Sequence, residues 1–181
     1  MTEKNVTRLG QHIYFYDEVD PESIHALCML LKEVERESKC KQVNDGLDNP
    51  PIIHLHVHSY GGDAYSGLAG ASAVLGCSVP IHTYVEGGVA SAATLLTMAG
   101  KKRFIHSLSF MLIHQISTWT QGTYENLLDS KDNSTQLMQT FYDFYESKSK
   151  LKAKQIKKIL KRDLWFSASD CKAFGLVDEI L

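Results

Sequence analysis

Ser91 stands where a hydrolase would place a nucleophile. The run Val85–Leu96 has the composition of an apolar strand, a glycine pair and then a small-residue helix that starts just after Ser91. A tight turn of this kind exposes the serine, and the N–H groups that open the following helix can stabilise an oxyanion. The same pattern is typical of a serine that merely caps a helix after a glycine turn. The segment therefore indicates either a nucleophile or a helix cap.

Two further polar residues could complete the chemistry. His114 ends the apolar run Phe110–Ile113, which is typical of a buried parallel strand whose carboxyl end faces a ligand crevice. Asp163 precedes an aromatic pair and a new helix. Taken singly, the histidine could be a hydrogen-bonded core residue, and the aspartate a surface charge or a helix cap. Together, Ser91, His114 and Asp163 supply the nucleophile, the base and the orienting carboxylate of an acyl-transfer triad.

Strands and helices alternate along the chain, which predicts the α/β class. Strands are predicted at 12–16, 52–58, 80–85 and 110–115; helices at 21–38 and 64–75; a polar loop at 39–51; and a largely helical stretch at 124–158. This order implies repeated βαβ crossovers onto a parallel sheet, with the reactive groups on loops at the carboxyl ends of the strands.

Length and composition favour one domain over residues 1–181. A chain of 181 residues is long enough for one core to bury about 70 % of its unfolded surface. The 19 basic and 21 acidic side chains give a net charge of −2, and no basic run is interleaved with aromatics, so no nucleic-acid partner is expected. Neither a secretory signal nor an apolar run of membrane-spanning length is present. With four scattered cysteines and no Cys-x-x-Cys pair, the chain is expected to be cytoplasmic and not membrane-bound.

The histidines at 54, 56 and 58 invite a metal interpretation. Alternate residues of a strand point the same way, and His-x-His pairs can bind zinc. A strand that leads into a Gly-Gly turn also alternates polar and apolar residues for packing, and no carboxylate or cysteine lies nearby in the sequence as a further ligand. We therefore predict neither a metal site nor a cofactor.

Four separated blocks resemble the proteolytic subunits of the Clp protease, the ClpP family. They follow the family's order at nearly its spacing, and are residues 59–67, 87–93, 111–115 and 162–168, the last leading into 173–178. The resemblance covers residues 8 to 181. It implies a serine endopeptidase in which Ser91 is the nucleophile, His114 the general base and Asp163 the orienting acid. By the same likeness, the backbone N–H groups of Gly62 and Ala92 form the oxyanion hole.

The resemblance also implies an assembly. Family members have a ClpP/crotonase-like fold of repeated βαβ units, with a protruding strand-helix handle through which two heptameric rings interlock. Peptides or unfolded proteins are cleaved inside the chamber, which an ATP-driven AAA+ unfoldase normally feeds. Residues 117–122 would match the segment that lines substrate and contacts the other ring. The aromatic-rich stripe of Leu137, Phe141, Phe144 and Tyr145 is either a core face or intersubunit packing.

Several positions depart from the family pattern. Ala92 replaces the usual methionine. The replacement leaves less apolar wall beside the nucleophile but keeps the backbone N–H donor. Tyr60 and Ile116 stand where proline is common, so both segments are predicted to be less stiff. Lys161 reverses the first charge of the family's Asp-Arg-Asp run, so ring contacts are expected to differ. The first predicted strand begins at residue 12, and the segment before it is shorter than the one that forms the axial gate in the family. Gating of the pore and docking of an unfoldase are therefore the family functions that we least expect to carry over.

Two other functions are compatible with the sequence. The crotonase-like fold includes acyl-CoA enzymes and Ser-Lys peptidases, and the latter would depend on a lysine such as Lys101 or Lys102 and tolerate loss of His114. A catalytically silent ClpP-like subunit would instead contribute walls to a mixed ring. The colinear serine, histidine and aspartate favour the active protease.

Overall fold

Eight strands form one mostly parallel sheet in the computed structural model, which describes residues 5–181. The strands are β1 (Val6–Leu9), β2 (His12–Phe15), β3 (Ile53–Ser59), β4 (Ile81–Ala90), β5 (Lys102–Ile105), β6 (Phe110–Leu112), β7 (Trp165–Ser167) and β8 (Glu179–Ile180). The helices of the described residues are α1 (Pro21–Asn44), α2 (Ala64–Gly76), α3 (Ala93–Met98), α4 (Tyr124–Lys148), α5 (Ala153–Ile159) and α6 (Ala168–Phe174).

The order of strands along the main sheet is β1-β2-β3-β4-β5-β8. The pairs from β2 to β5 are parallel, so a crossover must return the chain each time, and α1, α2 and α3 do so. Strand β6 pairs with the last three residues of β4, and β7 pairs antiparallel with β6. The predicted α/β class with repeated βαβ units is confirmed.

Alternating burial along the strands separates the two faces of the sheet. In β3, Ile53, Leu55 and Val57 are fully buried, whereas the residues between them are only half-buried. The buried face packs in the same core as Leu27 and Val34 of α1. Each such aliphatic side chain stabilises the fold by about 1.5–3 kcal/mol relative to exposure.

Two predicted boundaries were wrong and one strand was missed in the first half of the chain. Helix α1 continues to Asn44 instead of ending at 38, because Lys39–Asn44 contains good helix formers and Ser38 is buried against Gln11. Strand β4 continues to Ala90 instead of ending at 85, since Gly88, Val89 and Ala90 pair with β6. Strand β1 was missed; it is short and depends on antiparallel pairing with β2.

The helical stretch predicted at 124–158 is divided in two. Helix α4 has 25 residues and ends at Lys148, and Ser149 adopts an extended conformation that stops it. The chain then buries Leu151 before α5 begins at Ala153. No helix within residues 5–181 is sufficiently long and apolar to cross a membrane.

Helix α4 packs into the core through its carboxyl-terminal half. Phe141 and Tyr145 are buried, which supports the core interpretation of that part of the stripe, and Leu137 and Phe144 are partly buried. Tyr124 and Leu127 at the other end are exposed, so the helix projects from the sheet as a handle. The chain leading to it, residues 113–122, pairs with no strand of the described structure.

Candidate active site

Ser91 lies in the turn between β4 and α3. Among residues 5–181 it is the one non-glycine residue with a positive φ, 55°. Its N–H donates to Leu112 O at 2.9 Å, and its carbonyl accepts from Thr94 N at 3.0 Å and Thr94 Oγ1 at 2.6 Å. A left-handed conformation costs a residue with a side chain on the order of 1–2 kcal/mol, and these bonds hold it in place. The cap of α3 is Ala92, without a side-chain hydrogen bond, so the serine does not serve as the helix cap.

The loop after β3 approaches the Ser91 turn closely through a glycine. A Cβ built on Gly61 would lie 2.6 Å from Ser91 Cβ and 2.8 Å from Ala90 O, and the φ of Gly61 is 98°. Contacts this short exclude any side chain at Gly61. The glycine pair therefore brings two backbone segments together beside the serine hydroxyl.

The amides of Gly62 and Ala92 are both available as donors. Gly62 forms a parallel bridge with Val19 in which Val19 N donates to Gly61 O at 2.8 Å and Asp63 N donates to Val19 O at 2.7 Å. The backbone groups that bond Val19 belong to Gly61 and Asp63, so the N–H of Gly62 itself points away from Val19. Ala92 opens α3, where N–H groups have no intrahelical acceptor. The hydrogen bonds of residues 5–181 include no protein acceptor for either amide.

His114 and Asp163 are brought together by the turn after α5. Nδ1 of His114 lies 3.1 Å from Oδ1 of Asp163. The chain after the histidine is tied to the chain before the aspartate, because Gln115 N donates to Leu160 O at 2.7 Å. A carboxylate at Nδ1 favours the tautomer with its proton on that atom, which leaves Nε2 free to accept a proton. The histidine side chain is 23 % exposed and that of the aspartate 80 %.

One cavity of about 630 Å³ joins four of the five predicted site residues. Ser91, His114, Gly62 and Ala92 line it, and Asp163 lies outside it behind the histidine. No hydrogen bond joins the Ser91 hydroxyl to His114 within the described structure; catalytic hydrogen bonds of this kind commonly tighten only when substrate binds. The cavity thus brings together a serine, a histidine and two backbone amides, the groups that nucleophilic attack, proton transfer and oxyanion binding would require.

A polar wall of the same cavity escaped the sequence analysis. It comes from α4, and its members are Asn126, Asp129, Ser130, Asn133 and Ser134, followed by Leu137 and Phe141. These residues recur every three or four positions, so they share one face of the helix. That periodicity was present in the sequence, but a polar helix face is ordinarily exposed to solvent and gave no reason to place it at a site.

Tyr60 and Ile116, the two positions predicted to lie in less stiff segments, are constrained by contacts. Tyr60 is 69 % exposed, lines the cavity and packs edge-on against Trp165, with ring centroids 6.0 Å apart. Ile116 N donates to the Met138 sulfur at 3.3 Å, which holds the chain after His114 against α4. Both segments are therefore supported by contacts with neighbouring elements.

The three histidines of β3 lie on the half-buried face of the sheet, away from the Ser91 turn. His56 Nδ1 lies 2.6 Å from Glu86 Oε1, and its Nε2 lies 2.9 Å from His12 Nδ1. His54 Nδ1 lies 2.8 Å from the Tyr84 hydroxyl. Glu86 is 30 residues from His56 and so was missed as a neighbouring carboxylate. Within residues 5–181, no group of three or more potential ligands is arranged to hold a metal ion.

Crowding on this face shifts the pKa values of its groups. Burial, together with the nearby His12 and His82, lowers the pKa of His54 to about 4. Burial acts to raise the pKa of Glu86, but hydrogen bonds from Tyr16 and His56 outweigh it and hold that pKa below its ordinary value. A neutral His54 and an ionised Glu86 are thus the favoured states at neutral pH.

Comparisons with known proteins agree along almost the whole chain. A model of the Clp protease family matches residues 6–181. A protein of Cyanophora paradoxa described as an ATP-dependent Clp protease proteolytic subunit is 27 % identical over 180 residues, covering 97 % of this chain and 88 % of that protein. The solved structure of a ClpP1 mutant from Listeria monocytogenes has a TM-score of 0.81 at 21 % identity, covering 95 % of this chain and 91 % of that one. The structural likeness confirms the predicted fold.

Proposed function

Since the chain belongs to the Clp protease family, we propose that it is a serine endopeptidase that hydrolyses peptide bonds through an acyl-enzyme. The observation that carries the proposal is the His114–Asp163 contact of 3.1 Å beside a cavity that the strained Ser91 also lines. Strained backbone is stored at functional sites when the surrounding structure over-determines it. Here the hydrogen bonds of the Ser91 turn and the close approach of Gly61 hold Ser91 in its strained conformation.

In the proposed mechanism, Ser91 Oγ attacks the carbonyl carbon of the scissile bond. Nε2 of His114 takes the hydroxyl proton and later gives it to the leaving amine, while Asp163 holds the imidazole and stabilises its charged form. The Gly62 and Ala92 amides donate to the oxyanion of the tetrahedral intermediate, an effect worth about 10²–10³-fold in rate per donor. Water then attacks the acyl-serine by the same route and releases the acid product.

We propose peptides or unfolded proteins as substrates and two stacked heptameric rings as the assembly. The proposed compartment is the cytoplasm, and the proposed partner is an AAA+ unfoldase that delivers substrates to the chamber. The exposed apolar side chains of the handle support an assembly, because Trp119 is 82 % exposed and Tyr124 is 71 % exposed. Tryptophan and tyrosine are enriched at protein–protein interfaces relative to the rest of the surface. The relative from Cyanophora is an ATP-dependent Clp protease proteolytic subunit by description, which is consistent with an unfoldase partner. Native mass spectrometry of the purified protein tests the ring stoichiometry.

The alternatives differ in which groups they need. A Ser-Lys peptidase needs a lysine at the serine, but Lys101 and Lys102 do not line the cavity, and Lys102 Nζ pairs with Glu179 at 2.7 Å. An acyl-CoA enzyme would need no acylated serine. A silent subunit would assemble with an active paralogue and show no effect of Ser91→Ala on the complex.

Labelling with a fluorophosphonate probe tests the assignment. Covalent modification should map to Ser91 by mass spectrometry and disappear in His114→Ala, because the probe requires an activated serine. Ser91→Ala should retain the fold and lose peptidase activity. Labelling of an assembled oligomer at another serine, or undiminished turnover by Ser91→Ala, would refute the proposed nucleophile.

A further inference from the structure

The wall that α4 contributes to the cavity is polar toward the amino-terminal end of the helix and apolar toward its carboxyl-terminal end. Asn126, Asp129 and Asn133 present amide and carboxylate groups, and Leu137 and Phe141 follow on the same face. A lining of this kind matches a long side chain that has an aliphatic stem and a polar head. The lining residues therefore do not favour a purely apolar substrate side chain.

The charged side chains that line the cavity are acidic. The carboxylates of Asp63 and Asp129 contribute to it, and no lysine or arginine lies among the lining residues of the described structure. Asp63 is partly neutralised, because its Oδ1 accepts from Ser66 N at 2.7 Å at the positive end of α2. His114 must be neutral to act as a base, so it offers no lasting positive charge.

Asp129 has no such compensation. No ion pair of residues 5–181 involves its carboxylate, and Lys131 lies 3.8 Å from the neighbouring Asp132 instead. Asp129 also lies within α4, away from the positive end of that helix. Its negative charge is therefore free to act on whatever enters the cavity.

We propose that this cavity favours substrates with lysine or arginine next to the scissile bond, disfavours aspartate and glutamate there, and uses Asp129 as the specificity-determining residue. The inference rests on the proteolytic function proposed above. A cationic head would lie among the Asp129 carboxylate and the amides of Asn126 and Asn133, while its methylene stem packs on Leu137. An acidic head would meet the same carboxylate with repulsion and no cation.

Matched peptides test the proposal. Three internally quenched peptides would be identical except for lysine, leucine or glutamate at one position, and mass spectrometry of the products would identify the bond cleaved. The wild-type protein should cleave beside lysine with a kcat/KM about three- to fivefold above that beside glutamate, the scale of a partly solvated ion pair. The ratio should shrink between about 50 and 500 mM salt, because ions screen an open cavity.

Variants of α4 assign the effect to one residue. Asp129→Asn should abolish the lysine preference and Asp129→Lys should reverse it toward glutamate. Asp132→Asn is the matched control, since it removes one charge from the same helix outside the cavity and should keep the preference.

The outcomes separate the two proposals. Equal cleavage of the three peptides by a wild-type protein whose Ser91 reacts with the fluorophosphonate probe overturns the specificity and leaves the protease. A preference that survives in Asp129→Asn also overturns the role of this residue. Absence of both cleavage and probe labelling in the assembled protein overturns the proposed function and, with it, the inference.

Discussion

His114 Nδ1 and Asp163 Oδ1 lie 3.1 Å apart although 49 positions separate the two residues, and both are held by the backbone bond from Gln115 to Leu160. The aspartate side chain is mostly exposed, so it contributes little to packing, and in the mechanism proposed above its role is to orient the histidine. This separation of roles allows activity to be changed without a change in the fold.

Asp163→Asn should lower kcat by about 10³–10⁴-fold, because an amide at Nδ1 no longer enforces the tautomer that leaves Nε2 as the proton acceptor. The temperature of unfolding should stay within the error of the wild-type value, since the side chain is 80 % exposed. Steady-state hydrolysis of a fluorogenic peptide measures the first effect and circular dichroism the second. Wild-type turnover by this variant would show that the contact has no catalytic role.

Gly61→Ala should destabilise the protein by about 1–3 kcal/mol and remove activity, because the new Cβ meets Ser91 Cβ at 2.6 Å and the φ of 98° is unfavourable for alanine. Urea unfolding gives the free energy and peptide hydrolysis gives the activity. Gly76→Ala is the control: nothing lies within 4 Å of its added Cβ, so stability should be unchanged or raised by up to about 1 kcal/mol. Equal behaviour of the two variants would contradict the close approach at Ser91.

Tyr145→Phe should reduce the free energy of unfolding by about 1 kcal/mol, because it leaves buried Thr94 without its hydroxyl partner at 2.8 Å. Thr94 Oγ1 also donates to Ser91 O, so the two hydrogen bonds of Thr94 connect helix α4 to the Ser91 turn. Chemical denaturation compares it with Tyr142→Phe, a half-buried residue of the same helix with no hydroxyl bond among the described contacts. A smaller loss in Tyr145→Phe than in Tyr142→Phe would contradict this account.

Stability should fall as the pH is lowered from about 6.5 to about 4. The pKa of His54 is lowered from 6.5 to about 4 in the folded protein, so in this range the unfolded chain binds a proton that the folded chain does not. The lowered pKa of Glu86 acts in the same direction below 4.5, where the unfolded carboxylate protonates first. Urea midpoints measured across this range test the slope.

The His54→Gln variant isolates the contribution of that histidine. It should remove roughly 1 kcal/mol of the pH-dependent loss, an amount discounted for the partial exposure of this face to solvent. The exposed His25 of α1 supplies the control variant His25→Gln, whose profile should match the wild type. An unchanged slope in His54→Gln would place the titrating groups elsewhere.

Local features of this protein were determined by the sequence itself. Alternation in Ile53–Ser59 specified which strand residues enter the core, since side chains of a strand point to opposite faces in turn. Asp20, Pro21 and Ser23 form the cap that starts α1, a signal carried by neighbouring residues. The Gly61–Gly62 pair marked the turn after β3, because both residues have a positive φ, which glycine adopts at no steric cost.

The tertiary structure decided what depends on residues far apart in the chain. It placed Asp163 against His114, added β1 by pairing it with β2, and set Glu86 beside His56. It also turned the polar face of α4 toward Ser91, where the sequence pattern alone favoured solvent. Periodicity specifies that a helix has a polar face, but only the packing of Phe141 and Tyr145 fixes which way that face points.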